Sequence, residues 1–571
     1  MTPSIPPIRG LFRTDLRARA AYAEGAGIYR ILPIGVARPE DIDDLVGLIR
    51  WAAEVGASLI PRGAGSGMTG GNVGEGLLVD LNGIAERPLE IDPGRRTART
   101  GAQVTLAELN AAAGKHGLRL PPDPSSGGWA TIGGVIGTNA SGPRTLKYGS
   151  VRRWVESVEL VLAGGQRITL SRGKRIQWSS ALRAEEGTEN ESSAVSARRA
   201  ELQASLDSLA VETTAARDLI RSRFPKVRKN STGYALDQYL ASGDLLDLVI
   251  GAEGTLGIVT AATWRLDALP THRSALRLTL RHLEDLGALI PMLVAQGASA
   301  AELLDQTFLQ MVRDTPAARS LGLTGEEEGV VLVEFEGSTS EEVNELATRT
   351  SHLASLAFAR DKLRAGGSAH LALTTIELDA LITLRKSASP ILAALPGRRS
   401  LQVVEDGCVP VERLGEYVAA VRRAAGERGV EVVIFGHAGD GNVHVNSMAD
   451  LSRPGWDDAL RGLYGDVTEA VLRLGGVPSG EHGDGRLRAG VLERIYGAEV
   501  MALFRRVKES FDPAGILNPG IKLGPSDDPI RRLKIGPDAT PLPPDIEQGL
   551  REIEMTGGYS MNRLDLADRS A

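Results

Sequence analysis

Cysteine is nearly absent from this 571-residue chain, with Cys408 standing alone. One thiol excludes an internal disulfide and any iron-sulfur cluster, which needs about four thiolates. Beside Asp406 and Gly407 it reads as a small buried hydrophobe rather than a reactive group, and a reducing compartment fits this usage. Long apolar runs are missing too: no stretch reaches the about 18 residues of a membrane-spanning helix. The amino terminus, MTPSIPPIRGLFR, lacks the apolar core of a secretory signal, so the expected location is cytoplasmic. There is no long basic run and the net charge is −7, which argues against nucleic acid as a partner. Aromatic residues are sparse at 4%, and histidine numbers only eight.

Glycine, by contrast, is abundant at 67, as in chains with many tight turns and close backbone approaches. The remaining composition, 42% hydrophobic and 24% charged, is that of an ordinary globular enzyme, long enough for about two to four domains. Three of the eight histidines fall in two short segments, FGHAGDGNVHVN at 435–446 and GEHGDGR at 480–486. Residues 432–435 are apolar and rich in β-branched types, 443–446 begin another extended run, and the Gly/Asp/Asn cluster between them suits a tight turn. His437 and His444 therefore flank one hairpin-like connection. Their imidazoles can converge on one ion with Glu481, from the second loop, as an oxygen ligand; such a two-histidine, one-carboxylate set leaves positions open. His482 beside it is a candidate proton acceptor. Either segment alone reads equally well as a polar rim around an ordinary turn, whereas the pair points to a site. Asp440 and Asp484 read as turn formers.

Along the chain, 37–56 carries Ile42, Leu45, Val46 and Ile49 at helical spacing, starting near Pro39 and ending at Gly56. A strand over 57–61 runs into PRGAGSGMTGG (61–71), followed by a short strand at 76–81. A second glycine-rich block, PPDPSSGGWATIGGVIGTNASGPRTLKYG (121–149), precedes the strand-like VESVELVLAGG, and a third, GAEGTLGIVT, spans 251–260. The polar stretch 171–228 reads as a surface insertion with one amphipathic helix around 200–221 and no assigned chemistry. From about 278 helical and strand-like segments alternate, with strands expected at 329–335 and 401–406 and a helix over 411–429. FDPAGILNPG (511–520) is a turn-rich closing element. Beyond about 525 the chain reads as a proline-rich polar tail laid over the surface.

Glycines without a Cβ let backbone N–H groups approach a diphosphate. The first block is neither a GxGxxG turn nor a GxxxxGK[ST] loop; alone it is equally a flexible loop, but three such blocks beside strands are a stronger signal. In order, PRGAGSGMTGG, the Pro-Pro-Asp-Pro and Thr-Ile-Gly-Gly of the second block, KNSTGY at 229–234 and GAEGTLGIVT resemble the FAD domain of the vanillyl-alcohol-oxidase (PCMH-type) flavoproteins. GHAGDGNVH, SGEHGDGR and FDPAGILNPG resemble the branch of D-lactate, glycolate and D-2-hydroxyglutarate dehydrogenases. The resemblance covers about residues 29–523.

That resemblance implies an α+β protein: an N-terminal extension (1–36), a PCMH-type FAD-binding domain of two α/β subdomains (37–270), a cap or substrate domain with an antiparallel sheet (271–490), a C-terminal FAD-oxidase-type segment (491–524) and a tail (525–571). It implies FAD contacts from Arg62, Gly63, Ala64, Gly65, Ser66, Gly67, Thr69, Gly70 and Gly71. Further contacts are implied for Pro122, Asp123, Thr131, Gly133, Gly134, Asn139, Ser141, Gly142 and Tyr148, and for Glu253, Gly254, Gly257, Ile258, Val259 and Asn518. The flavin would be noncovalent, because the first loop lacks the histidine that tethers FAD in some relatives. His437, His444 and Glu481 would bind a divalent metal, Zn²⁺ or Mn²⁺, with His482 as base, Asn446 as a substrate contact and Arg385 as the carboxylate clamp.

The implied reaction is oxidation of a D-2-hydroxy acid to the keto acid, with hydride passing to flavin N5 and electrons leaving to a separate acceptor, an electron-transfer protein or a quinone-linked one. A homodimer is compatible with this. Where relatives acting on 2-hydroxyglutarate place a lysine, this chain has Val404-Glu405-Asp406, so a second substrate carboxylate would meet acid; D-lactate-like or glycolate-like substrates are expected. An O₂-using oxidase and a flavin electron-transfer subunit of a larger complex stand as alternatives.

Overall fold

The computed structural model describes residues 6–178, 189–359, 363–364, 366–372, 374–386, 399–525 and 528–569. Its first long helix, Ile42–Val55, begins where Asp41, in extended backbone, accepts the Asp44 N–H, and ends where Gly56 turns left-handed at φ 69°. The capping carboxylate sets the start, so Ala37, read as the edge of this helix, instead lies in strand Gly35–Arg38. Leu45, Leu48, Ile49 and Ala52 bury against Leu59, Leu77 and Val79. Those belong to a four-stranded sheet ordered Leu11–Arg13, Gly35–Arg38, Leu77–Asp80, Leu59–Arg62. Its last three strands are parallel and the first is antiparallel, so the N-terminal stretch supplies an edge strand.

A second, six-stranded antiparallel sheet runs Gln177–Trp178, Arg167–Ser171, Val155–Val161, Ile258–Arg265, Thr97–Gly101, Leu89–Asp92. Its core takes in Tyr496, Val500, Phe504 and Phe511 of helix Leu492–Phe511. The described residues of the stretch read as a surface insertion with one helix hold two, Glu189–Ala215 and Arg217–Arg223. Leu206, Leu209 and Ile220 bury in the same core, so this segment is a packing element and its apolar side fixes it in place.

The third sheet runs Ser368–Ala372, His272–Leu280, Gly329–Gly337, Ala300–Asp305, Glu431–Gly436, Asn442–Ala449, Arg399–Leu401, with Gly407–Cys408 also on Asn442–Ala449. Neighbours are antiparallel. Alternate residues face opposite ways: Leu303, Val331 and Val333 pack with Leu289, Val418 and Leu463, whereas Leu304, Val330 and Leu332 pack with Phe308, Leu381 and Leu384. The strand expected over 401–406 stops at Leu401. The chain leaves the ladder there because Asp406 is drawn to the 480–486 loop, where its Oδ2 accepts the Glu481 and His482 N–H groups at 3.0 and 2.8 Å.

Buried charges join the third sheet to residues of the N-terminal part of the chain. Arg144 reaches Glu334 and Glu336, each at 2.8 Å, and Arg119 reaches Glu336 at 2.7 Å. Beyond residue 525 the expected tail contains helices Pro544–Thr556 and Leu564–Ala567. Ile546, Leu550 and Ile553 share a core with Ala18, Ala21 and Tyr22, a helical apolar stripe that the prolines of this stretch had obscured.

Phe504 is fully buried among Phe224, Tyr234 and Tyr496, with ring centroids 5.1–6.3 Å away. Phe504→Ala is expected to cost about 3–5 kcal/mol in denaturant unfolding, whereas Val211→Ala, at a residue 70% exposed, should stay within about 0.5 kcal/mol.

Candidate active site

The glycine-rich loops and the histidine hairpin open on one cavity of about 1350 Å³. Arg62, Gly63, Ala64, Gly65, Ser66, Gly67, Thr69 and Gly71 line it from the first loop, and Asp123, Thr131, Gly133, Gly134 and Ser141 from the second block. Glu253, Gly254, Gly257, Ile258 and Val259 line it from the third, and His437, His444, Asn446, Glu481 and His482 from the cap side. The cradle needs its glycines: a Cβ on Gly63 would lie 2.0 Å from Thr131 Oγ1, and one on Gly254, at φ 72°, 2.5 Å from Pro61 Cγ. A dinucleotide fits this cavity and its bare backbone walls.

The other expected contacts stand behind the lining. Gly70 packs on Tyr29; Pro122 is buried beside the lining residue Asp123; Gly142 presses on the Asp123 carbonyl. Asn139, left-handed at φ 53°, accepts from Ser150 Oγ at 2.9 Å. Tyr148 donates to Glu336 at 3.1 Å. Asn518, also left-handed at φ 45°, donates from Nδ2 to the carbonyls of Gly71 and Glu253, each at 2.8 Å, tying two lining loops together. The Arg62 head group turns inward to the carbonyls of Tyr22 and Glu24, so it clamps the loop.

The hairpin forms as its turn chemistry requires: Phe435 pairs with His444 across Glu431–Gly436 and Asn442–Ala449, and Gly441 closes the turn at φ 71°. Glu481 Oε1 faces both imidazoles, 3.1 Å from His437 Nε2 and 3.3 Å from His444 Nε2. The ligand atoms of His437, His444 and Glu481 lie within 4.8 Å of one another. Each outer ring nitrogen is anchored: His437 Nδ1 on Glu302 Oε1 at 2.8 Å and His444 Nδ1 on the Glu405 carbonyl at 3.1 Å. That is how metal-ligating imidazoles are oriented, and the donor set suits a divalent cation.

Support for Glu481 comes from residues far away in the chain. Its Oε2 accepts from Ser141 Oγ at 2.6 Å and from Lys229 Nζ at 2.8 Å, leaving Oε1 to the histidines. Burial alone would raise the Glu481 carboxyl, but Lys229 and His437 hold it well below the usual carboxylate range. Burial lowers the His437 imidazole, yet Glu302 and Glu481 outweigh it and push it up to about 9. Lys229, quoted from sequence only within KNSTGY, and Glu302 were missed as site residues, because neither stands near a histidine in the chain.

His482 stacks on His444 with centroids 5.0 Å apart. Its Nδ1 sits 2.5 Å from Glu405 Oε2, and its Nε2 faces Glu481 Oε1 at 3.6 Å. Glu405 also takes Arg488 at 2.6 Å; against burial, which raises it, the His482 imidazole and the Arg488 guanidinium hold its carboxyl down at about 2. The acid expected to repel a second substrate carboxylate is thus already neutralised. Asp440 and Asp484 are more than turn formers. Asp440 is buried 3.6 Å from Lys229, and Asp484 accepts from Lys522 at 2.9 Å and from the Gly233 N–H at 2.8 Å. Cys408 is fully buried and its thiol is raised by that burial. Arg385 falls near the end of helix Thr375–Lys386; its side chain lies outside the described residues.

Residues 33–171 match the FAD binding domain family and 269–521 the C-terminal domain of FAD linked oxidases. D-lactate dehydrogenase of Archaeoglobus fulgidus is 30% identical over 85% of this chain and 90% of its own length. The chain belongs to the PCMH-type FAD-linked oxidoreductases. D-2-hydroxyglutarate dehydrogenase of Escherichia coli is 29% identical over 89% of this flavoprotein, which spans only 50% of that relative. The 4-ethylphenol oxidase of Gulosibacter chungangensis, 15% identical, superposes with a TM-score of 0.61 over 90% of this chain and 94% of that one, which shows the shared fold.

In this FAD-linked oxidoreductase the two grips on Glu481 Oε2 carry an expectation. Ser141→Ala and Lys229→Met should each weaken Zn²⁺ binding by about 10–100-fold in competition with a chromophoric chelator. Unchanged affinity in both would show that Glu481 needs no such support.

Proposed function

We propose that the protein is a dehydrogenase of a D-2-hydroxy acid, converting it to the 2-keto acid and passing electrons to a separate acceptor. One observation carries the reading: His437, His444 and Glu481 converge, with His482 alongside, on the cavity lined by the flavin loops. Bound FAD supplies the hydride acceptor, and a divalent cation on His437, His444 and Glu481 supplies Lewis acidity of the kind that lowers bound water from a pKa of about 15.7 to about 7.

His482 takes the hydroxyl proton. Glu405 occupies its Nδ1, which leaves Nε2, the nitrogen turned toward Glu481 Oε1, as the accepting atom. His482 would thus hold the hydroxyl proton while bound FAD would take the C2 hydrogen and its two electrons as hydride, which balances the oxidation. Asn446 accepts from Ser400 Oγ at 3.0 Å through Oδ1, freeing Nδ2 to donate to a substrate oxygen. Arg385 is proposed as the bidentate partner of the substrate carboxylate. Ile382, Leu401 and Phe435 add an apolar stretch to the cavity wall, which favours a monocarboxylic acid with a small or apolar C2 substituent, D-lactate-like or glycolate-like. With Glu405 neutralised, this wall rather than repulsion supports that preference.

Anaerobic addition of a panel of D- and L-hydroxy acids, with and without chelator, should bleach the flavin only with D-acids (glycolate, which is achiral, included) and only without chelator. His482→Ala is expected to lower kcat by about 10²–10⁴-fold. Protein that holds FAD but turns over D-hydroxy acids equally well as His437→Ala and His482→Ala would sink the reading.

A further inference from the structure

Part of the cavity wall comes from a stretch of chain that neither family match covers, since the more C-terminal of the two ends at residue 521. Lys534, Arg551, Met555, Gly557 and Tyr559 all line the cavity. This wall abuts the nucleotide loops. Ala64 of the first loop shares a core with Leu550 and Tyr559, and Trp129 of the second block pairs with Tyr559 at 5.8 Å and covers Gly557.

Two polar groups here lack hydrogen-bond partners among the described residues. Tyr559, 8% exposed, makes no hydrogen bond through its hydroxyl among the described residues, and burial, with Glu554 adding to it, pushes that hydroxyl up to about 12, so it remains a donor. Arg563 is 5% exposed and makes no hydrogen bond or ion pair through its guanidinium among the described residues; it stacks on the face of Tyr559, 5.7 Å from the ring centroid. Burial and the like charge of Arg62 push Arg563 down to about 9, yet a guanidinium stays protonated in proteins. Asp80, the carboxylate that acts on both arginines, already accepts from Tyr22 Oη at 2.6 Å and the Asn82 N–H at 3.0 Å. Lys534 and Arg551 are paired, each with Glu554, at 2.6 and 2.7 Å. A buried cation without a counter-ion is costly, and the surface between Tyr559 and the glycine-rich loop therefore favours a bound anion.

We propose that the C-terminal segment completes the site for the cofactor's diphosphate, with Tyr559 donating its hydroxyl hydrogen to a phosphate oxygen and Arg563, behind the ring, supplying the compensating charge. This rests on the FAD reading of the cavity. The flavin released from wild-type protein is first identified by chromatography; protein that holds and rebinds no FAD overturns that underlying reading. Dissociation constants for FAD and for riboflavin, which has no phosphate, are then measured on flavin-free wild type, Tyr559→Phe, Arg563→Met and Arg563→Lys. Tyr559→Phe and Arg563→Met should each weaken FAD about tenfold or more and leave riboflavin unchanged, and Arg563→Lys should bind FAD within about threefold of wild type. Wild-type FAD affinity in both Tyr559→Phe and Arg563→Met, or equal loss of FAD and riboflavin, overturns the proposal while leaving the FAD reading intact.

Discussion

Glu481 is one carboxylate held by two domains. Ser141 and Lys229, from the flavin side, occupy Oε2, and His437 and His444, from the cap, face Oε1. The carboxylate is only 8% exposed, so its charge must be met by neighbours in fixed places. That requirement propagates outward. Lys229 stands also near Asp440, His437 leans on Glu302, and Asp406 ties down the loop that carries Glu481 and His482. The site is a closed set of buried charges in which each member orients the next.

The same constraint acts between the domains. Glu336, inside the cap sheet, is met by Arg119, Arg144 and Arg273, and two of these come from the flavin domain. Removing one partner of such a set leaves an uncompensated charge, so it specifies how the cap sits over the cavity more than it adds stability. Nearby, glycines allow a second kind of fit. The loops touch through backbone, and a single Cβ at Gly63 or Gly254 would close the space between them.

Local chemistry was readable from sequence where a few adjacent residues decide it. The hairpin around His437 and His444 follows from a β-branched run, a Gly/Asp/Asn turn and a second extended run, and it forms with Phe435 opposite His444. The helix ending at Gly56 and the strands flanking PRGAGSGMTGG also form close to their expected places. Expectation failed where distant partners decide: the strand at 401–406 breaks at Leu401 because Asp406 bonds a loop some 75 residues on, and the C-terminal stretch folds into helices because Ala18 and Tyr22 offer an apolar surface.

The sequence by itself determined which chemistries were available: too few thiols for redox clusters or disulfides, three glycine-rich loops for a nucleotide, and two histidines one turn apart with Glu481 and His482 on a second loop. Only the tertiary structure decided how those groups are used. It assigned Lys229 and Ser141 to Glu481, Glu302 to His437 and Glu405 to His482, and it brought Tyr559 to the cavity wall. The physical reason is that a turn is set by the backbone preferences of neighbouring residues, whereas the partner of a buried charge is set by whatever the fold brings within about 3 Å of it.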